Sequence, residues 1–400
     1  MERVYDRILV DHFAQNRQMA FLCGPRQVGK TTSAKHLSGE DRYLNWDVPE
    51  TRAIALKGAK GLAAAFGLDD LQPTRPIVVL DEFHKYGKWK ALLKGFYDLY
   101  GTRCHCIATG SARMDVYKRG GDSLAGRYFN YRMHPLSVGE LCRTKLPTDS
   151  VIHPPTRISP ADFSALLRFG GFPEPFARQD TRFYNRWLAS RHDIILKEDI
   201  RDLTRVQETA SVQLLAELLA AQTGQPVNQS NLAATLQVSV DTVSRWLRLL
   251  ESLFVLFTVR PWFKSVAKSI RKQPKVYFRD WSVVRDEGAR HENFIACHLL
   301  KAVQMWEDLG IGRFELRYLR DKTGREVDFV VIRDGRPWFL VEAKTGETRE
   351  MNRSLAYFQR TTDAKHAFQI AVNAEYVEAN CFAETAPVRV PAATFLSQLV

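Results

Sequence analysis

Two stretches of this 400-residue chain bring together residue types that handle phosphate. The first is Gly24-Pro-Arg-Gln-Val-Gly-Lys-Thr-Thr32, a glycine-bounded loop between an apolar strand and a helix. Gly24, Gln27, Val28 and Gly29 would curl so that backbone N–H groups face phosphate oxygens, with the helix N-terminus adding positive potential. Lys30 would reach the outer phosphates, Thr31 would ligate Mg²⁺, and Thr32 completes the cradle. The second is Ile77-Val-Val-Leu-Asp-Glu82, four apolar residues ending in two acids. Asp81 at the carboxyl end of a buried strand would hold Mg²⁺ through water, and Glu82 would orient an attacking water. The pair predicts ATP hydrolysis with Mg²⁺.

Two more candidates follow. Ser111, in Thr109-Gly-Ser-Ala-Arg113, stands where a hydroxyl could sense the outermost phosphate. Arg127 follows a flexible glycine, and its guanidinium could stabilise phosphate oxygens, often those of a neighbouring subunit. The alternative for Arg127 is a surface salt bridge.

A separate set of residues suits DNA. Residues 228–259 read as helix, turn, helix and strand: Ser230 caps a helix to Gln237, and Val240–Glu251 follows. Val240, Val243, Leu247 and Leu250 make one apolar stripe, which leaves Thr242, Ser244, Arg245 and Arg248 outward. With Phe254–Val259 as a wing strand, this is winged-helix geometry, where such residues meet the major groove. Packing within the protein is the competing reading. Lys264, Lys268, Arg271 and Lys272 lie in a stretch free of acids and interleaved with aromatics, which could track a phosphate backbone or simply be a solvated face.

Near the C-terminus, Glu326–Ile332 and Trp338–Lys344 flank the turn Asp334-Gly335. Pairing them brings Asp328 close to Glu342, with Lys344 at the same end. Asp328 with Glu342-Ala343-Lys344 resembles the PD-(D/E)xK nuclease core, and that resemblance implies two acids that bind a second divalent metal and a lysine that activates water against a phosphodiester. Glu292, on the preceding helix, matches the further acid of that core. A binding platform that does not cut is the alternative.

The elements that must position these groups can be read from apolar periodicity. Strands at Gln18–Cys23, Arg42–Val48, Pro76–Leu80 and Cys104–Thr109 alternate with helices such as Lys88–Tyr100, which gives a parallel sheet wound on both faces. Helical periodicity dominates residues 160–260. Beyond it come a strand at Val276–Phe278, a helix from about His291 to Trp306 and the carboxylate hairpin. The expected fold is α/β in three domains: a P-loop domain at 1–150, a helical, winged-helix-like domain with the basic stretch at 151–274, and an α/β domain at 275–400.

Composition narrows the class. The chain is 45% hydrophobic and 26% charged, which excludes a disordered or fibrous protein. Basic over acidic residues number 23 to 16 in 1–150, 18 to 12 in 151–280 and 16 to 17 in 281–400. A basic front and neutral tail suit a polyanion partner, or serve solubility alone. The six cysteines form no CxxC pair, and no leader or membrane span is legible, so a reducing, cytoplasmic setting without membrane contact is expected.

The motifs GPRQVGKTT, LNWDVPE, LDEFHKYGKWKALLKGFYD, TGSAR, DSLAGR and HPLSVGEL resemble a group of prokaryotic AAA-type ATPases. GGFPEP, KVYFRD, HENF and GREVDFVVI with LVEAK resemble the C-terminal domain of unknown function that accompanies it, and the carboxylates there resemble a PD-(D/E)xK nuclease core. The resemblance implies an AAA+ fold with strand order 5-1-4-3-2 and nucleotide at a subunit interface of a ring, taken here as a hexamer. The expected function is an ATP-driven motor or remodeller acting on duplex or branched DNA. The alternatives are an ATP-gated nuclease in defence or repair, and a signalling or assembly switch with no nucleic-acid substrate.

Overall fold

Met-Ala-Phe-Leu-Cys is apolar at every position, and a strand with nothing polar on either face has to be covered on both. It forms β1 (Met19–Cys23), buried throughout. The computed structural model describes residues 1–110, 124–144, 150–194, 209–263, 273–346 and 350–400. These divide into two compact units, Met1–His134 and Pro135–Val400.

In the first unit, α1 (Val4–Gln15) precedes β1. Then come α2 (Lys30–Ser38), β2 (Tyr43–Asn45), α3 (Pro49–Leu56), α4 (Gly58–Ala65), β3 (Ile77–Asp81), α5 (Trp89–Tyr100), β4 (His105–Gly110) and β5 (Tyr128–Arg132). The strands pair in parallel in the order β5-β1-β4-β3-β2, the order that the resemblance implies. Phe21, Leu62, Val78, Leu93 and Phe96 are among the side chains that build the core on one side of this sheet. The second strand is shorter than the expected Arg42–Val48. A 3₁₀ turn occupies Glu40–Arg42, and Pro49, with fixed φ and no N–H, opens α3.

The second unit begins with α6 (Val138–Cys142), α7 (Pro160–Phe169), α8 (Pro173–Arg178) and α9 (Thr181–Ile194). Next, α10 (Thr209–Ala221), α11 (Gln229–Leu236), α12 (Val240–Ser252), β6 (Leu256–Pro261) and β7 (Lys275–Phe278) share a core that includes Leu215, Leu219, Leu232, Trp246, Leu250, Leu256 and Val276. Three local readings change here. Asn228, not Ser230, caps α11, accepting from the Ser230 and Asn231 amides at 3.0 and 3.2 Å. Val240 is 43% exposed, while Trp246 and Leu249 join Val243, Leu247 and Leu250 inside. Phe254 adopts φ +57°, so the chain turns there and the strand starts two residues later.

A seven-stranded sheet follows, in the order β12-β11-β10-β9-β8-β6-β7. Its later strands are β8 (Phe314–Arg320), β9 (Glu326–Arg333), β10 (Arg336–Lys344), β11 (His366–Ala371) and β12 (Val388–Pro391), with α13 (Glu287–Asp308), α14 (Arg353–Thr362) and α15 (Ala392–Ser397). The expected wing strand is thus shared: β6 pairs antiparallel with β7 and, at Arg260 and Pro261, parallel with β8. It thus joins the helical core's return strand, along Leu256–Val259, to the sheet, through its last two residues. The expected boundary at 274/275 falls immediately before β7, the strand to which β6 pairs.

Helix α13 starts earlier than its periodicity suggests because Asp286 caps it, accepting from the Ala289 amide at 2.8 Å. From Asn293 to Trp306 it is buried all round, the mark of a central helix. That burial forces Lys301 to find a partner: its ammonium is ion-paired to Glu140 of α6, each side chain 2% exposed, and also donates to Pro135 O at 3.1 Å. Lys301→Met should leave the buried Glu140 without this cation, at a cost of about 3–5 kcal/mol, whereas the double change with Glu140→Leu recovers most of it. Urea denaturation of the full chain measures both.

Candidate functional site

The loop after β1 turns under tight steric control. A Cβ at Gly24 would lie 2.2 Å from the Met133 carbonyl oxygen, so only glycine lets β1 leave the sheet there. Gly29 has φ +104°, in the left-handed region, and opens α2 directly. Arg3, 3% exposed, braces the loop from below, donating to Val28 O and, at 2.8 Å, to His134 O. The Lys30 ammonium folds back onto the Gly24 and Pro25 carbonyls at 2.9 and 2.7 Å. Burial pulls its pKa down to about 8, against the smaller upward pull of Glu82 and Asp81.

Because β1 and β3 run parallel with only β4 between them, their carboxyl ends share one edge of the sheet. Thr31 Oγ1, on the first turn of α2, donates to Asp81 Oδ2 at 2.9 Å. Asp81 is 2% exposed and also accepts from Tyr43 of β2 and Thr109 of β4. Thr31 and Asp81 thus stand together as the hydroxyl and carboxylate that a nucleotide-bound Mg²⁺ uses, and the donor set fits that ion. Glu82 is next, with φ +57°, a conformation that residues with a Cβ seldom adopt. Its carboxylate lies 3.6 Å from Lys85 and 3.7 Å from His84. Burial raises its pKa, with Lys30 and Lys85 pulling the other way.

Ser111 lies outside the described residues. Arg127 precedes β5, whose parallel register sets Tyr128 beside Met19 and Arg132 beside Cys23. The P-loop leaves the far end of β1, roughly 16 Å away at strand rise, so Arg127 is out of reach of its own chain's phosphates. Its guanidinium pairs with Asp98 through two hydrogen bonds of 2.7 and 3.2 Å.

In the helical core of the second unit, Ser239 caps α12, accepting from the Thr242 amide at 3.1 Å. Arg245 and Arg248 are exposed, Thr242 and Ser244 partly so, and Arg248 donates to Ser244 Oγ at 2.9 Å. Pro226 bridges Lys275, and the Val227 amide donates to Pro274 O at 2.9 Å, so a short extended piece before α11 lies along β7. Helix, bridge, two helices and a two-stranded antiparallel ribbon follow in winged-helix order. Lys264, Lys268, Arg271 and Lys272, between β6 and β7 in sequence, lie outside the described residues.

The β9–β10 hairpin does bring the C-terminal acids together. Val341 pairs with Phe329, and the next amide but one, Ala343, donates to Asp328 Oδ2 at 2.9 Å. Lys344 and Asn352 donate to Glu342 Oε1 at 2.8 and 2.6 Å. Glu292 of α13 accepts at Oε1 from Tyr277 at 2.6 Å and from Lys275 at 3.3 Å. Among the described residues, no group of three or more His, Cys, Asp or Glu is placed to hold a metal ion.

Four contributors escape the motif reading: Tyr43 and Thr109 on Asp81, Arg3 under the loop, and Lys275 among the acids. Tyr43 leaves a trace, since Tyr43-Leu-Asn45 alternates polar and apolar beside the Asp81 strand. Arg3 leaves none, being a single basic residue whose partners are far away in sequence, and Lys275, though it opens KVYFRD in the basic stretch, gives no sign there of its partners on α13 and β9.

Residues 16–142 match the model of an AAA domain, residues 160–286 that of a domain of unknown function (DUF8612), and residues 287–383 that of a further domain of unknown function (DUF4143). The chain is similar to an uncharacterised protein of Mycobacterium tuberculosis, 25% identical over 84% of this chain and 72% of the relative. An uncharacterised protein of Methanocaldococcus jannaschii is 27% identical over 67% of this chain and 62% of its own. Among solved structures, the Aeropyrum pernix ORC1 protein in complex with DNA is 15% identical, over 73% of this chain and 91% of that one, with a TM-score of 0.30. A signal transduction ATPase with numerous domains from Pyrococcus horikoshii is 14% identical over 76% and 47%, with a TM-score of 0.25. At those scores neither likeness supports a statement about this chain.

The first unit carries the P-loop fold of an AAA+ domain, and helical and α/β parts follow it. The Lys30 ammonium in that fold has a pH signature. Its pKa of about 8 in the nucleotide-free protein should rise when a polyanion binds, because the bound charge favours the protonated form. ATP binding should therefore take up protons above pH 8, and affinity should fall as pH rises through that value. Calorimetry in buffers of different ionisation enthalpy reads the uptake, which Lys30→Ala should abolish.

Proposed function

We propose that this protein hydrolyses ATP in its first unit and uses the turnover to move along or remodel DNA held by the winged-helix-like core of its second unit. The observation that carries the reading is the pairing of a sterically enforced P-loop, facing Thr31 and Asp81, with a helix α12 that turns Arg245 and Arg248 to solvent. The backbone of Gly24 to Thr32 would cradle the phosphates, and Lys30 would exchange its carbonyl partners for phosphate oxygens. When bound, Mg²⁺ would neutralise charge on the phosphates, with Thr31 and Asp81 as the residues that hold it. Glu82, its pKa raised by burial, is suited to take a proton from the attacking water.

Arg127, out of reach of its own P-loop, fits a role at a neighbour's nucleotide, with release from Asp98 as the subunits meet in a ring. The absence of any helix long and apolar enough to cross a membrane, among the described residues, is compatible with a cytoplasmic setting. A second reading, in which turnover gates DNA cutting, is favoured by the meeting of Asp328, Glu342 and Lys344 around one hairpin. Mg²⁺- or Mn²⁺-dependent nicking that disappears in Lys344→Ala would speak for it.

On the first reading, duplex or branched DNA should raise the ATPase rate several-fold. Replacing Arg245 and Arg248 together by Ala should weaken DNA binding and reduce the slope of log K against log salt by roughly 2. An unchanged rate across single-stranded, duplex and branched DNA would remove the motor reading. For the shared site, mixing Arg127→Ala with Glu82→Gln chains should restore turnover that each lacks alone. Failure of that mixture to recover activity would remove the arginine from the neighbour's site.

A further inference from the structure

Strand β7 inserts a lysine where the acids of the C-terminal sheet converge. Lys275 is 1% exposed. Its ammonium lies 2.7 Å from Glu326 Oε1, 3.3 Å from Glu292 Oε1 and 3.6 Å from Asp328 Oδ1. The ammonium is thus ion-paired with three carboxylates, one from α13 and two from alternate positions of β9. Tyr277, two residues on and so on the same face of β7, donates to Glu292 Oε1. The Tyr318 ring centre lies 5.5 Å from the ammonium. Gly224 closes on Glu292, since a Cβ there would lie 2.9 Å from Oε1.

A divalent cation bound by Glu292, Asp328 and Glu342 would need their oxygens turned towards one point at about 2.0–2.6 Å. Most of them are already engaged within the fold. Glu292 Oε1 is shared between Lys275 and Tyr277. Asp328 gives Oδ2 to the Ala343 amide and faces Lys275 with Oδ1. Glu342 gives Oε1 to Lys344 and Asn352, and its buried Oε2 accepts no hydrogen bond. These residues, as arranged, do not fit a metal.

We propose that Lys275 is itself the cation of this site: its ammonium takes the place a divalent ion would fill, and the carboxylate cluster ties β7 to β9 and α13 instead of cutting phosphodiesters. Burial raises the Glu292 and Asp328 carboxyls and neighbouring acids add to that rise, while Lys275 pulls both the other way. The inference is independent of the nucleotide chemistry in the first unit, and it weighs against the nuclease reading.

The test is Mn²⁺ uptake by the nucleotide-free full chain, followed by the electron paramagnetic resonance signal of free Mn²⁺, in a Thr31→Ala background that removes the P-loop ligand. Wild-type Lys275 should give no Asp328-dependent uptake, and Lys275→Arg, which keeps the charge, should behave likewise. Lys275→Met should take up about one Mn²⁺ per chain, and adding Asp328→Asn should abolish it. Uptake by the Lys275 protein that Asp328→Asn removes would overturn the proposal. So would a Lys275→Met protein that is folded by circular dichroism yet takes up no Mn²⁺. If Lys275→Met does not fold, the comparison of Lys275 with Asp328→Asn decides alone.

Discussion

Burial of β1 on both faces is the constraint from which the nucleotide site follows. A strand with no polar face cannot lie at a solvated edge, so it needs strand neighbours on either side and helices above and below. Parallel pairing with β4 and β5 then fixes which end of the sheet the following loop leaves from. The same pairing sets Asp81 of β3 at that end, within hydrogen-bond distance of Thr31. Gly24 is the local condition for this arrangement, since any side chain there would collide with the Met133 carbonyl. The chemistry of the site is therefore a consequence of hydrophobic burial, with a few polar groups placed where the apolar strands run out.

The parts of this design that were legible in the sequence share one property: each is local. The P-loop spans nine consecutive residues, the Asp81 strand five, and the carboxylate hairpin turns on Asp334-Gly335, so period, turn chemistry and motif suffice to place them. The α12 stripe was read nearly as it stands because helical spacing is local too, and Val240 fails only because the first turn of a helix projects past the core. What was not legible depends on distant partners. Arg3 finds the carbonyls of Val28 and His134, and Lys275 finds acids on α13 and β9, and neither pairing leaves a periodic signal. The double role of β6 was hidden for the same reason, because its pairing with β8 joins segments more than fifty residues apart.

Two buried lysines show how context assigns different work to one side chain. Lys30 and Lys275 both lose water, and desolvation pushes both pKa values down. Around Lys30 the hydrogen-bond acceptors are two neutral carbonyls, and Asp81 and Glu82 act only through their field, so the downward push prevails. Around Lys275, Glu292, Asp328 and Glu326 are close enough to outweigh burial, and the net shift is upward. Lys30 is thus a cation short of anionic partners, which is the electrostatic condition for a group that awaits phosphate. Lys275 already has its anions, and an incoming phosphate or metal would have to displace an ion pair that the fold has built. A lysine held in reserve and a lysine already committed can be told apart by whether its fixed neighbours are dipoles or charges, and on that criterion the first unit is the one poised for chemistry.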